Sequence, residues 1–187
     1  MKHFLRFSFL LLLLAGSLFS CRQGTTDSDV SVAVEQKVAE PTTIYLVRHA
    51  EKDISNPSDE NPDLTTAGKA RAEALRSLLD GENVHALYAT KYIRTINTLK
   101  PLADERKLEI RQYEGHDFNG IKQRLLQEHR GQTVVIAGHS NTLLPMIEAF
   151  GAKRPVSDIA DSEYNYVFKV KIDTEDKTTV ELNQFGD

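Results

Sequence analysis

The spacing of hydrophobic positions changes several times along this chain, and each change predicts an element. Ile44, Tyr45, Leu46 and Val47 form an unbroken run of β-branched, aromatic and aliphatic residues, as expected of a strand covered on both faces. The run stops abruptly at Arg48, His49, Ala50, Glu51 and Lys52. Thr133, Val134, Val135, Ile136 and Ala137 repeat the pattern and give way to Gly138, His139, Ser140 and Asn141. Between the two runs, a period near 3.6 takes over. Ala67, Ala70, Ala74, Leu75, Leu78 and Leu79 predict a helix capped by Thr65 and stopped by Gly81. A short strand follows at Val84 to Tyr88. A second helix is expected from Lys91 towards Glu105, with Ile93, Ile96, Leu99 and Leu102 on one face and Pro101 kinking or shortening it. Leu108 to Arg111 reads as extended. A third helix is expected from Phe118 to His129, burying Ile121, Leu125 and Leu126, and a fourth from Ser140 to Phe150, with Pro145 tolerated if it falls in the first turn. Tyr164 to Ile172 and Thr179 to Leu182 close the chain as two strands joined near Asp173 to Lys177. Strand and helix in alternation predict an α/β fold: a three-layer α/β/α sandwich around a mostly parallel sheet.

The amino terminus follows another logic. Lys2, His3 and Arg6 precede an apolar stretch centred on Leu10 to Leu14, which is the layout of a secretory signal too short to span a bilayer comfortably. It ends in Leu18, Phe19, Ser20 and Cys21, which resembles a bacterial lipobox, with Phe19 departing from the usual small residue. The resemblance implies removal of residues 1–20 and lipidation of Cys21; several acyl chains would suffice for stable anchoring. Residues 21–41 then read as a lipidated cysteine and a flexible tether. From Arg22 to Glu40 there is no aromatic residue, although Val30, Val32 and Val34 alternate as a short edge strand would. Residues 42–187 remain as one domain of ordinary size. The expected location is the bacterial cell envelope, lipid-anchored on an extracytoplasmic face.

Composition narrows the chemistry. Cys21 is the sole cysteine, so the folded body offers no disulfide, CxxC metal site or catalytic thiol. Net charge is −4, and no lysine and arginine run suits a nucleic-acid backbone. No nucleic-acid partner is expected, and neither a metal nor another cofactor is called for. Oligomeric state is not legible.

The two strand ends carry the candidate chemistry. Ligands of α/β sheets bind at the carboxyl ends of strands, and an arginine beside a histidine suits a phosphoryl group, whose transition state spreads charge over three oxygens. Arg48 offers one planar fork of donors. Arg94, in the string YATKYIRTINTLKPLA from Tyr88 to Ala103, is the expected second. Helix amino ends near Lys91 and Ser140 would add backbone donors. In this scheme His49 is the nucleophile, because an imidazole nitrogen can take a phosphoryl group and release it to water. His139 holds a phosphate oxygen. The proton for the leaving oxygen comes from Glu114 or, less favourably, Glu51. Lys52, His116 and Asn141 are further rim candidates, with Glu51 more suited to ordering the first loop. His85 and His129 have no motif context.

These residues fall into blocks similar to those of the histidine phosphatase superfamily, which includes phosphoglycerate mutases and the short phosphohistidine phosphatases. LVRHAEK resembles the family's RHG block, with Ala50 replacing glycine. DLTTAGKARAEAL resembles the segment after it, YATKYIRTINTLKPLA the block of the second arginine, with Asn97 where glutamine is common, and VVIAGHSN the block of the second histidine. The resemblance spans roughly Thr43 to Ile172 and rests on four blocks in the expected order. It implies a phosphoglycerate mutase-like fold, a phosphate pocket of Arg48, His49, Arg94 and His139, and a glutamate acid between the second arginine and second histidine. Glu114 aligns best there, with Asp117 in reserve. Ser140 follows His139, so the aspartate used beside that histidine in the acid-phosphatase branch is absent. KDISNPSDENPD stands where a mutase-like stretch would follow the first block, which favours a phosphatase over a mutase.

The expected function is hydrolysis of phosphate monoesters, small ones favoured by the extracytoplasmic location, through a phosphohistidine on His49. The rival is a lipoprotein that binds a phosphorylated ligand without turning it over.

Overall fold

A computed structural model describes residues 40–186. The expected signal segment, the expected lipidation site at Cys21, and the expected tether with its valine alternation up to residue 39 lie outside the described residues.

β1 (Thr42–Arg48) is buried at all seven positions, as an unbroken apolar run requires. α1 (Thr66–Leu78), β2 (Val84–Ala89), α2 (Ile93–Arg106), β3 (Ile110–Gln112), α3 (Phe118–Glu128), β4 (Thr133–Gly138), α4 (Ser140–Phe150), β5 (Tyr166–Ile172) and β6 (Thr178–Gln184) follow. The sheet runs β3-β2-β4-β1-β5-β6. β3, β2, β4 and β1 pair in parallel, while β5 is antiparallel to both β1 and β6. Alternate residues of the central strands feed two cores. Ile44, Leu46, Tyr88, Val134 and Ile136 pack with Ile121 and Leu125 of α3 and Leu143 and Ile147 of α4. Tyr45, Val47, Leu87 and Val135 pack with Leu75 of α1 and Leu99 and Leu102 of α2. The sandwich therefore has three layers, with helices on both faces.

Several boundaries differ from the sequence reading. α1 ends at Leu78 with Leu79 as its cap, before Gly81, because the Leu79 amide already turns back onto Leu75 and Arg76. α2 begins at Ile93, since the Tyr92 backbone is still extended (ψ 137°) on leaving the β2 strand end. Pro101 lies inside α2 without ending it, and the helix continues through Leu102 and Ala103, both buried. Ile93 is 41% exposed, and the inward face instead carries Thr95, Thr98, Leu99 and Leu102. β3 begins two residues later than the extended stretch read from Leu108. Pro145 sits in the second turn of α4, past the first turn that was expected to accommodate it. The carbonyl it leaves without the usual helical donor is that of Asn141, an exposed residue. β5 starts at Tyr166, which leaves Tyr164 in the loop before it.

Register places the strand ends side by side. Arg48 is opposite Gly138, Ala89 is opposite Ala137, and the His49 amide donates to the Gly138 carbonyl at 2.9 Å. The residues after three parallel strands, His49, Thr90 and His139, therefore emerge together at one edge of the sheet.

Candidate active site

Arg48, His49, Arg94 and His139 line one cavity of about 560 Å³ at that edge. His49 is 4% exposed, and its Nδ1 lies 2.8 Å from the carbonyl oxygen of Ala50. A carbonyl only accepts, so Nδ1 carries the proton and Nε2 keeps its lone pair. Ala50, which stands where the resembling block has glycine, is fully buried, and its amide donates to Thr98 Oγ1 at 2.9 Å. The Thr98 hydroxyl donates in turn to the Arg94 carbonyl, which ties the His49 loop to the helix that bears the second arginine. Burial, and then the neighbouring His139, Arg94 and Arg48, lower the pKa of His49 to about 3, against the opposing hydrogen bond to Ala50. The ring is held neutral, the form a nitrogen nucleophile needs.

The loop after His49 is fixed from α1. The Thr65 amide donates to the Glu51 carbonyl at 2.8 Å, and the Thr65 hydroxyl caps α1 by accepting from the Gly68 amide. A Cβ at Gly68 would stand 2.3 Å from the Glu51 carbonyl oxygen. The glycine of the LTTAGKA segment is thus required by contact between helix and loop backbones.

His139 is held differently. Its Nε2 is 3.0 Å from Thr90 Oγ1, which is 2.9 Å from Thr95 Oγ1; the Thr95 hydroxyl in turn points at the Tyr92 carbonyl, 2.7 Å away. One proton per hydroxyl settles the direction. Thr95 donates to Tyr92, Thr90 donates to Thr95, and His139 must therefore donate from Nε2 to Thr90. Burial first, and then Arg94, Arg48, His116 and Lys52, lower the pKa of His139 to about 4.

Each arginine lies against a tyrosine ring. The Arg48 guanidinium carbon is 4.1 Å from the Tyr164 ring centre and that of Arg94 is 4.2 Å from the Tyr92 ring centre. The same rings approach the histidines, Tyr164 at 6.0 Å from His49 and Tyr92 at 5.3 Å from His139, and the histidine centroids are 5.4 Å apart. The site is two arginine, tyrosine and histidine trios facing one another. The Nε atoms of Arg48 and Arg94 are buried with no hydrogen-bond partner. Two guanidinium groups with unpaired donors beside one cavity have the chemistry to bind an oxyanion. Burial also lowers the pKa of Arg94, opposed in part by Tyr92.

The remaining expected residues divide. Lys52, His116 and Asn141 line the cavity. Glu51 does not, because Arg71 grips its carboxylate, with Nε and NH2 contacts at 2.9 and 2.8 Å, and carries it away from the rim and from any acid role. Asp117 is committed as the cap of α3, accepting from the Gly120 amide at 2.9 Å. Glu114 is exposed and lines a smaller adjoining cavity of about 160 Å³, which shares Tyr92, His116 and His139 with the main one. Of the helix amino ends expected to supply donors, that of α4 meets the cavity through Ser140 and Asn141. The first amide of α2 is taken by Asn61 Oδ1. Sequence reasoning missed Tyr92, Thr90 and Thr95, all inside a quoted block, and also Tyr164 and Asp161, which no motif marks. His129 is hydrogen-bonded on both ring nitrogens, to Tyr88 and Gln132, away from the site. Among the described residues no group of three histidine, cysteine or acidic side chains is arranged to hold a metal ion.

Comparison with known proteins agrees with this fold. The model of the histidine phosphatase superfamily (branch 1) matches residues 44–116. Among solved structures the domain is similar to the protein histidine phosphatase SixA complexed with tungstate, at 16% identity and a TM-score of 0.61, covering 76% of this chain and 96% of that one. It is similar to Bacillus stearothermophilus YhfR at 21% identity and a TM-score of 0.57, covering 78% and 97%. A phosphoserine phosphatase from Entamoeba histolytica, bound to phosphoserine, matches at 13% identity and a TM-score of 0.58, covering 78% and 97%. No curated protein matches the chain.

Proposed function

From a domain with histidine phosphatase superfamily sequence over residues 44–116 and the fold of histidine phosphatases, we propose a phosphatase that hydrolyses small phosphate monoesters through a phosphohistidine on His49. The observation that carries this reading is the His49 tautomer. Its Nδ1 proton is committed to Ala50, and its Nε2 lone pair is left in a cavity where two guanidinium groups have open donors.

In the proposed reaction the phosphate oxygens sit on the Arg48 and Arg94 forks, and His49 Nε2 attacks phosphorus. The P–N bond forms as the ester P–O bond breaks, and the departing alkoxide takes a proton from Glu114. Water then attacks the phosphohistidine, its proton returns to the Glu114 carboxylate, the P–N bond breaks and inorganic phosphate leaves. His139 faces the developing charge. Metal does not enter this scheme.

The test is release of phosphate from an aryl phosphate by wild type and His49→Ala, with and without chelator, together with acid-quench trapping of labelled enzyme. His49→Ala should lose both turnover and label; a mutant that keeps turnover would sink the covalent route, and chelator sensitivity would sink metal independence. Glu114→Gln should slow alkyl esters far more than nitrophenyl phosphate, because only the poor leaving group needs the proton. Equal slowing of both would remove Glu114 as the acid. The rival, a binding protein without turnover, draws support from Glu114 lining the adjoining cavity and not the main one; tight phosphate binding with no release from any ester would favour it.

We also propose that Cys21 is lipidated after cleavage and anchors the domain to an envelope membrane on an extracytoplasmic face. The lipobox-like LFSC supports this. Labelling with a fatty-acid analogue should follow Cys21 and vanish in Cys21→Ser; an unlabelled wild type would overturn it.

A further inference from the structure

Arg48, Arg94 and Lys52 bring three positive charges to the cavity, one more than a phosphoryl dianion needs before the exposed Asp161 carboxylate is counted. Arg48 and Arg94 together balance two negative charges and supply the open Nε donors. Beyond them the wall also carries Lys52 and His116, both close enough to His139 to act on it electrostatically, and the amino end of α4 at Ser140 and Asn141. Among the described residues the sole carboxylate on the wall is that of Asp161, a fully exposed side chain lying 3.8 Å from Arg48 NH2. Lys52 makes no ion pair among the described residues, although acidic side chains are plentiful in the loop beyond it. Its backbone is fixed by a bridge to Leu64, which is 4% exposed. Lys52 is thus a lysine placed by a buried anchor and left without a carboxylate on the wall of the phosphate cavity.

We propose that the substrate carries a second anionic oxyacid group on its leaving-group side, and that Lys52, assisted by His116, receives it. This rests on the phosphatase reading for its chemistry, but it concerns binding and can be tested without turnover. Both anions would lie in the one cavity of about 560 Å³.

Matched esters isolate the second charge. Phosphoglycolate and 2-hydroxyethyl phosphate share the phosphoryl group and the two-carbon length and differ at the far end in carboxylate against alcohol. Dissociation constants by calorimetry on the full domain should favour phosphoglycolate by about tenfold or more, the scale of one charge-assisted contact. Lys52→Met should erase most of that preference, weakening phosphoglycolate about tenfold more than the alcohol ester, and Lys52→Arg should restore it. Equal affinities for the two esters in wild type, or equal weakening of both by Lys52→Met, would overturn the inference. Turnover is then measured on the same pair. Binding preference without release of phosphate leaves the inference standing and sinks the phosphatase reading, and release without preference does the reverse.

Discussion

The two halves of the site use the same three residue types and hold them in opposite ways. In the β1 half, Arg48 NH1 donates to three carbonyls, those of Ala160, Asp161 and Glu163, at 2.9 to 3.1 Å, and His49 Nδ1 is locked on the Ala50 carbonyl. In the β2 and β4 half, the Arg94 side chain has no hydrogen-bond partner among the described residues and rests on Tyr92, while His139 ends a chain of two hydroxyls. Backbone carbonyls cannot turn and hydroxyls can. In the proposed reaction, the half that presents a lone pair in one direction is built on backbone, and the half that faces the developing charge is built on rotatable groups.

Breaking the proposed nucleophile and breaking the proposed stabiliser should therefore look different. His49→Ala should cost at least about 10⁴ in kcat with no phosphoenzyme, while His139→Ala, which removes a ring facing the anion but not the bond-forming nitrogen, should cost about 10² to 10³ and still label on His49. Rapid-quench labelling of both variants checks this. Abundant label in His49→Ala, or equal losses without label in both, would erase the distinction between the halves.

The arginines sharpen the comparison next. Arg48→Ala orphans three carbonyls and frees the loop that carries Tyr164, so it should lower stability by about 2 to 3 kcal/mol as well as oxyanion affinity. Arg94→Ala breaks no hydrogen bond and should weaken phosphate or tungstate inhibition by about tenfold to a hundredfold with the unfolding midpoint nearly unchanged. Urea titrations paired with inhibition constants decide it; equal stability losses would show that Arg94 is as firmly built in as Arg48.

Thr90 tests the rotatable half alone. Thr90→Val removes the acceptor for His139 Nε2–H, and kcat should fall about tenfold, with Thr90→Ser close to wild type. Nitrogen NMR of the histidine ring should show an Nε2–H tautomer in wild type that is lost in the valine variant. An Nδ1–H tautomer in wild type would refute the hydroxyl chain.

What the sequence disclosed follows the same division. Arg48, His49, Arg94 and His139 were legible because each stands at a strand end or in a helix first turn, and apolar runs of four or five residues mark those places. Both helical prolines misled, since Pro101 and Pro145 sit inside helices whose burial of Leu102, Met146 and Ile147 outweighs one missing hydrogen bond. Tyr164 was illegible for another reason. It lies in an irregular loop 23 positions after Asn141, the nearest residue singled out for the site, and only folding of the segment before β5 lays it on Arg48. Tyr92 and Thr90 stood in a quoted block, but an arginine there drew the attention, and nothing in a one-dimensional pattern says that the residues between strand end and arginine will back a histidine.

The smallest effect is in pH. Both site histidines have folded-state pKa values below the ordinary 6.5, at about 3 for His49 and about 4 for His139. The unfolded chain therefore binds protons that the folded chain refuses, so the stability these rings contribute is present above pH 6.5 and is lost as pH falls towards 4. Depressed carboxylates such as Asp63 and Glu82 lose their contribution only below their own unfolded values near 4, which leaves the range from about 6.5 to 5 to the histidines. By about pH 5.8 each should have cost on the order of 1 kcal/mol, read as a falling urea midpoint. His49→Asn should flatten part of that slope, and so should His139→Asn. The two differ on adding an oxyanion that takes up no proton in this range: it should raise the midpoint more at pH 5.5 than at pH 7.5, because an anion between the rings favours their charged forms. In Thr90→Val that extra gain should shrink, since His139 no longer has a fixed direction in which to donate, whereas a gain independent of Thr90 would place the proton uptake on His49 and make the backbone-built half the one that follows the charge.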